Sequence, residues 1–578
     1  MSHSVAPRSA GHLLVECLIA HGVDTAFGVP GESYLDVLDG LYAQQEKIRF
    51  ITCRQEGGAA FMAEAYGKLT GKPGVLMVTR GPGATNAAIG IHTAYQDSTP
   101  MVVLIGDVGS DMRDREAFQE VDFSAFFGPS TKGLAKRVER IDDPERIPEY
   151  VARAFTTAQQ GRPGPVVLVL PEDMLTSMTS QPVLQPPLLA EQDAGATSLQ
   201  RIEQMLLQAK RPFLIVGGPS WNEKAAKDLH HFAEQWHLPV GNAFRFQDTF
   251  DNHHALYAGD VGISINPALA KRIKDADLVI ALGARLGEMT TSGYTLLESP
   301  QPAQKLVHVH PSAEELGRVF RADVSVCASM PNMAAALATL NPPASVVWKD
   351  WTDAAHADYE AYLQPQALAG LDVEKDGAID MPAVIATLQR MLPVDAVITN
   401  GAGNFASWVH RYFRFHGWSK GHKTQLAPTN GAMGYGVPAG IAANIATGRV
   451  AFTIAGDGDF LMNGQELATA RQHGAKSIIL LLNNGMYGTI RMHQEREYPG
   501  HVSGSTLGNP DFCALAKAYG YAAEKVERTA DFEAALQRAL NAATGTLIEI
   551  PLSPEVITTR ASLSAIREAA IQSQVSRA

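Results

Sequence analysis

The sequence predicts an α/β protein made of three doubly wound, parallel-sheet domains, and three observations carry that expectation. Short apolar runs alternate with helical patterns in three separate stretches, the rhythm of βαβ units whose strands are covered on both faces. Two segments break the rhythm: residues 181–196, with Pro182, Pro186 and Pro187, and the region around Asn341-Pro342-Pro343. The 578 residues also exceed what one core holds, at roughly 100–200 residues per domain.

Taken in order, residues 1–180 read as the first domain, with strands at residues 74–79, 101–105 and 166–170. Residues 181–196 are a linker. Residues 197–340 form a central Rossmann-like domain, with strands within 212–218, 276–283 and 305–309. Residues 341–380 are a second linker with an amphipathic helix, and residues 381–555 a third domain with strands at 395–399, 450–455 and 477–482. The tail, 556–578, reads as a polar helix docked on a neighbour. The three domains share a rhythm but no residue pattern, and no repeat of about 20–50 residues marks a solenoid.

Composition removes several function classes. The formal charge is -12 and no basic block occurs, which argues against nucleic acid as the main partner. No apolar run approaches the roughly 18 residues of a membrane helix, so no membrane association is expected. Met1-Ser2-His3-Ser4 opens a polar start without a secretory apolar region, and a cytoplasmic location is expected. Cys17, Cys53, Cys327 and Cys513 lie far apart with no CxxC, the pattern of buried free thiols.

The most informative motif is Gly456-Asp457-Gly458, which follows an apolar strand. After residues 459–482 a second strand ends on Asn483-Asn484. A crossover helix of about 10–15 residues fits between them. In a parallel sheet the two strand ends then lie side by side, so Asp457 and an Asn amide oxygen converge. Hard oxygen ligands suit Mg²⁺, which usually keeps phosphate oxygens in its shell. The glycines let backbone N–H groups approach a diphosphate.

Further blocks accompany it: Phe27-Gly28-Val29-Pro30-Gly31-Glu32, Arg54-Gln55-Glu56-Gly57-Gly58-Ala59-Ala60, Thr79-Arg80-Gly81-Pro82-Gly83-Ala84-Thr85-Asn86, Gly161-Arg162-Pro163-Gly164-Pro165 and Asn430-Gly431-Ala432-Met433-Gly434-Tyr435-Gly436. In this order they resemble the acetolactate synthase branch of the thiamine-diphosphate enzymes, over about residues 10–555. The resemblance implies a pyrimidine-binding first domain, a central domain and a diphosphate- and Mg²⁺-binding third domain. It implies active sites between two subunits, hence a homodimer or homotetramer, and a 2-oxo acid substrate.

The resemblance also implies roles. Glu56 hydrogen-bonds the aminopyrimidine N1′ and so promotes loss of the thiazolium C2 proton; burial without a partner would raise its pKa. The bland alternative is a solvated Glu at a helix N-terminus. Asp457, Asn484 and the backbone carbonyl of Met486 are the implied metal ligands, with Asn483 the alternative one register away. Pro30, Gly31, Gly403, Asn404, Phe405, Gly431, Gly456, Gly458, Asp459, Tyr487 and Gly488 are implied around the cofactor, and Met433 props its bend. Phe118, Gln119 and Lys132 match positions near the substrate, although a lone Lys is ordinarily a solvated charge. Gly83, Thr489, Ile490, Arg491 and His493 are the remaining pocket candidates, with Arg491 a candidate for a carboxylate or phosphate.

Two departures keep alternatives open. His493 stands where acetolactate synthases carry a Trp, and Thr489 replaces an apolar residue, which leaves the acceptor undetermined. Gly217-Gly218 and Gly283-Ala284-Arg285 resemble flavin-binding turns, but His310-Pro311-Ser312 lacks the acids usual after the next strand, so FAD stays an open alternative. The His230-His231 and His253-His254 pairs read as solvated polar residues. The leading expectation is decarboxylation of a 2-oxo acid, pyruvate first, with carboligation to a second carbonyl. Its rivals are a related decarboxylase, carboligase or diketone lyase or hydrolase, and a non-catalytic cofactor-binding homologue.

Overall fold

The computed structural model describes residues 6–128, 133–366, 368 and 379–577. Its framework is three six-stranded parallel sheets, each flanked by helices. The first contains β1 (Thr25–Gly28), β2 (Arg49–Thr52), β3 (Gly74–Thr79), β4 (Met101–Asp107), β5 (Arg137–Arg140) and β6 (Pro165–Pro171), in the order β2-β1-β3-β4-β6-β5. The second contains β7 (Pro212–Val216), β8 (Val240–Ala243), β9 (Tyr257–Val261), β10 (Leu278–Leu282), β11 (Lys305–His310) and β12 (Val324–Cys327), in the order β9-β8-β7-β10-β11-β12. The third contains β13 (Val397–Asn400), β14 (Gln425–Leu426), β15 (Ala451–Gly456), β16 (Ile478–Asn483), β17 (Ala522–Lys525) and β18 (Thr546–Pro551), in the order β14-β13-β15-β16-β18-β17.

The expected fold class therefore stands. The strands read from apolar runs are the central ones, because a strand covered on both faces cannot afford polar positions. β4 and β6 are buried at every residue. Each Val, Leu or Ile so covered contributes about 1.5–3 kcal/mol.

The helices that matter for the site are α1 (Glu56–Thr70), α2 (Gly81–Asp97), α3 (Gly436–Thr447), α4 (Asp457–Asn463), α5 (Leu467–His473), α6 (Gly488–Glu497) and α7 (Leu563–Arg577). The chain divides into two compact units. One comprises Met1–Ala190, Pro428–Gly448 and Asn463–Lys476; the other comprises the remainder. Within the first unit, α3 packs on α1 and α5 lies against β2. Phe61 of α1 meets Tyr435 edge-on at 5.4 Å, and the Tyr435 hydroxyl donates to the fully buried Glu64 at 2.5 Å. Burial pushes the Glu64 carboxyl up to about 7.

Several expectations change. The single crossover helix between β15 and β16 is instead α4, a short 3₁₀ turn and α5. Asn463 leaves helical conformation, with φ −141° and ψ 24°, and gives its amide to the Gly434 carbonyl at 3.0 Å. The tail helix α7 docks on α6 of its own chain, where Leu563 and Ile566 pack with Met492. The histidine pairs are not simply solvated. His230 stacks on Phe250 at 3.9 Å, and burial pulls it down to about 4. His253 stacks on His416 at 4.0 Å. All four cysteines are free thiols: Cys17 and Cys53 are buried, Cys327 and Cys513 partly so.

In the second sheet the turns after β7 and β10 meet backbone to backbone. Gly218 has φ +76°, and a Cβ there would lie 1.9 Å from the Gly283 carbonyl oxygen. Gly218→Ala should destabilise this region by about 1–3 kcal/mol, read as a lower midpoint of thermal unfolding. An unchanged midpoint would contradict the close approach.

Candidate active site

β15 and β16 pair with Gly456 opposite Leu482, so Asp457 and Asn483-Asn484 leave the sheet side by side. Asp457 is 2% exposed. Its Oδ1 accepts the Gly458 N–H at 3.0 Å; its Oδ2 accepts the Gly485 N–H at 2.8 Å and the Asn509 amide at 2.7 Å. Burial still raises its carboxyl, against the lowering by those hydrogen bonds. A carboxylate in that position favours a cation beside it.

Asn483 and Asn484 have different surroundings. The Asn483 amide donates to Glu549 at 2.8 Å, and its Oδ1 accepts from Asn509 at 2.9 Å. Asn484 Oδ1 accepts the Met486 N–H at 3.2 Å in a local turn. Asn509 Oδ1 is buried with no hydrogen-bond partner among the described residues. Asp457, Asn484, Asn509 and the nearby backbone carbonyls make an all-oxygen donor set, which fits a hard divalent cation such as Mg²⁺. Asn509 was not singled out from sequence, where Gly508-Asn509-Pro510 reads only as a turn.

The neighbouring loops are held close by glycines. Asp459 Oδ1 accepts the Ala402 N–H at 3.2 Å, and a Cβ on Gly401 would lie 2.0 Å from that oxygen. The Phe405 ring lies against Gly403 and Gly456, where a Cβ would approach to 2.6 and 2.8 Å. The Tyr487 ring sits over Gly458, at 2.5 Å from the equivalent position. Gly488 faces Ile557 and Asn484.

α6 divides the pocket candidates. Thr489 is tied to Asn404: its hydroxyl accepts the Asn404 N–H and donates to Asn404 Oδ1, both at 3.0 Å. Arg491 is paired with the fully buried Glu495 at 2.9 Å, an ion pair within α6. Ile490, 53% exposed, and the exposed His493 share one face and remain open.

The other candidates lie in the first unit. Glu56 opens α1, whose N-cap Gln55 accepts the Gly58 N–H at 3.0 Å. Glu56 is half-buried rather than buried and alone: its Oε2 accepts the Asn86 amide at 3.0 Å. Gly83 faces Glu56 Oε1, 3.5 Å from where a Cβ would be. The Gln119 carbonyl accepts the Gly81 N–H at 2.9 Å, so Glu56, Gly83 and Gln119 gather around one turn. Phe118 is 72% exposed. Gly31 approaches Thr79, at 2.3 Å from a Cβ, and Pro30 is exposed. Met433 is half-buried in a loop whose Gly431 has φ +71°. That loop is anchored by Thr429 on Asp97 at 2.7 Å and Asn430 on Thr93 at 3.0 Å. Lys132 lies outside the described residues.

Comparison with known proteins agrees with this layout. Three family descriptions match: thiamine pyrophosphate enzyme, N-terminal TPP binding domain, over residues 8–126; the central domain of the same enzymes, over 199–337; and their C-terminal TPP binding domain, over 401–550. The chain is 32% identical to an acetolactate synthase large subunit of Parasynechococcus marenigrum, over 94% of this chain and 87% of that one. It is 31% identical to the acetolactate synthase large subunit of Corynebacterium glutamicum, over 93% and 86%. It is 30% identical to the acetolactate synthase isozyme 3 large subunit of Escherichia coli, over 92% of each.

α7 is held to α6 by Arg567, whose Nε and Nη2 reach the two Glu495 oxygens at 2.7 and 2.8 Å. These bonds are the main reason the Glu495 carboxyl is drawn down from 4.5 to about 2. A lowered carboxyl stabilises docking above its unfolded range and loses that contribution as pH falls from about 4.5 towards 2. Glu495→Gln should therefore speed proteolysis within α7 at neutral pH. Equal cleavage rates would dismiss the clamp.

Proposed function

The chain belongs to the thiamine pyrophosphate enzyme family, and from that premise we propose that it decarboxylates a 2-oxo acid and joins the remaining two-electron donor fragment to a second carbonyl. Pyruvate is the first candidate for both partners, giving 2-acetolactate and carbon dioxide. The observation that carries this reading is the buried Asp457, its carboxylate met by three N–H donors, at a strand end flanked by glycines.

When bound, thiamine diphosphate supplies the nucleophilic carbon and the electron sink for loss of carbon dioxide. The residues supply placement. Asp457, Asn484 and the Met486 carbonyl hold Mg²⁺, and with it the diphosphate. Asn484 is preferred to Asn483, whose amide is engaged by Glu549 and Asn509. Gly403, Asn404, Phe405, Gly456, Gly458, Asp459, Tyr487 and Gly488 shape the diphosphate side. Glu56 holds a proton at the pyrimidine ring nitrogen, with its carboxylate oriented by Asn86. Pro30, Gly31, Gly431 and Met433 flank that ring. Phe118, Gln119, Lys132, Gly83 and Ile490 border the substrate. Two copies of the chain complete each site, one giving Glu56 and the other Asp457, in a homodimer or homotetramer.

A second reading rests on His493, exposed on the open face of α6. It keeps the cofactor and changes the acceptor, because an imidazole there takes a more polar carbonyl partner than a Trp would.

Product analysis with thiamine diphosphate, Mg²⁺ and pyruvate tests the first reading; acetolactate is expected. Acetaldehyde as the sole organic product would replace it with a decarboxylase. Glu56→Gln should lower turnover about 10²–10⁴-fold with the cofactor still bound. Asp457→Ala should abolish Mg²⁺-dependent cofactor binding, measured by calorimetry; normal affinity would remove Asp457 from the ligand set.

A further inference from the structure

Glu466 lies in the 3₁₀ turn Gly464–Glu466, between α4 and α5, and its side chain is fully buried in the first unit. A buried carboxylate needs donors on both oxygens. The Arg54 N–H reaches both, at 3.2 Å each, and the Gln55 N–H reaches Oε1 at 3.0 Å. The Thr469 hydroxyl donates to Oε2. Burial raises this carboxyl, and the lowering comes from Thr469, Arg54 and Gln55. The two backbone donors immediately precede Glu56. Gln55 is the N-cap of α1 and Arg54 the residue before it, at a helix end that welcomes negative charge.

The same stretch grips this region at further points. His473 Nε2 accepts the Thr52 N–H at 3.1 Å, and the Arg54 guanidinium reaches Gln472 at 2.5 Å. Asn463 holds the Gly434 carbonyl, next to Met433. Gly58 has a matching reason: a Cβ there would lie 2.6 Å from Glu466 Oε1. The second glycine of Glu56-Gly57-Gly58 is thus the space that the Glu466 carboxylate fills.

We propose that Glu466 is a positioning residue for Glu56: its carboxylate fixes the backbone of Arg54 and Gln55, and so sets where the Glu56 carboxylate points. The inference rests on the reading of Glu56 given above. Glu466 touches neither substrate nor cofactor and exchanges no proton with them. Its effect is on the placement of another group, and small misplacements at a proton-holding carboxylate reduce rate strongly.

Glu466→Gln separates this from a general role in folding, because an amide keeps the size but replaces one acceptor with a donor. Backbone hydrogen exchange of the protein without cofactor should be faster at residues 52–58 and unchanged in the second sheet. The affinity for thiamine diphosphate and the KM should stay within about threefold, while kcat and the exchange rate of the C2 proton of bound cofactor fall about tenfold or more. Wild-type kcat and C2 exchange in a variant whose residues 52–58 have loosened would overturn the proposal. Glu56→Gln is measured alongside. If it slows C2 exchange and Glu466→Gln does not, the positioning role alone fails. If Glu56→Gln leaves C2 exchange unchanged, the Glu56 reading fails and takes this proposal with it. Should Glu466→Gln not fold, Thr469→Val removes one donor and keeps the carboxylate; a smaller fall in kcat and C2 exchange at unchanged KM is expected, and no fall would overturn the role.

Discussion

A buried negative charge at the end of β15 is the constraint around which the third sheet is arranged. Asp457 cannot be covered unless hydrogen-bond donors converge on it. The chain supplies them from Gly458, from Gly485 beyond the next strand and from Asn509 farther on. That requirement draws three loops to one point. It also explains why the glycines cluster there: Phe405 and Tyr487 must lie flat against backbone for the loops to come so close. Remove the charge, and the loops lose the reason for their conformation.

Much of this framework was legible because its signals are local. A strand covered on both faces is apolar along most of its length, so residues 74–79, 101–105 and 477–482 announce themselves. Gly456-Asp457-Gly458 and Asn483-Asn484 could be brought together on paper because parallel neighbours end at the same edge. Glu466 and Asn509 could not. Glu466 meets Arg54 across more than four hundred positions, and no periodicity encodes that partner. Arg491 is a different case. Its partner Glu495 stands one helical turn away, where a pairing between opposite charges was readable from spacing. Thr489 and Asn404 are joined through a side chain on one loop and a helix start on another, which pattern reading does not reach.

Buried carboxylates recur as fasteners in this chain, each in its own setting. Glu64 accepts from Thr99 and Tyr435, Asp97 faces Lys68 at 2.5 Å, and Glu495 takes two arginines. Such groups stabilise little in net terms when compared with apolar residues of the same shape. Their value is geometric. A satisfied carboxylate permits one arrangement of its donors, whereas an apolar contact tolerates several.

The first and third sheets have the same strand order, β2-β1-β3-β4-β6-β5 and β14-β13-β15-β16-β18-β17, while the second follows the dinucleotide-binding order. No residue pattern betrays the likeness. It places β3 and β15 in equivalent positions, so the turn at Gly81–Gly83 and the turn at Asp457–Gly458 occupy the same crest of the same scaffold. The same path of the chain is thus traced twice, with one crest ahead of α2 and its counterpart ahead of α4. Strand order belongs to the route of the backbone, and two stretches of sequence with no residue pattern in common satisfy it equally well.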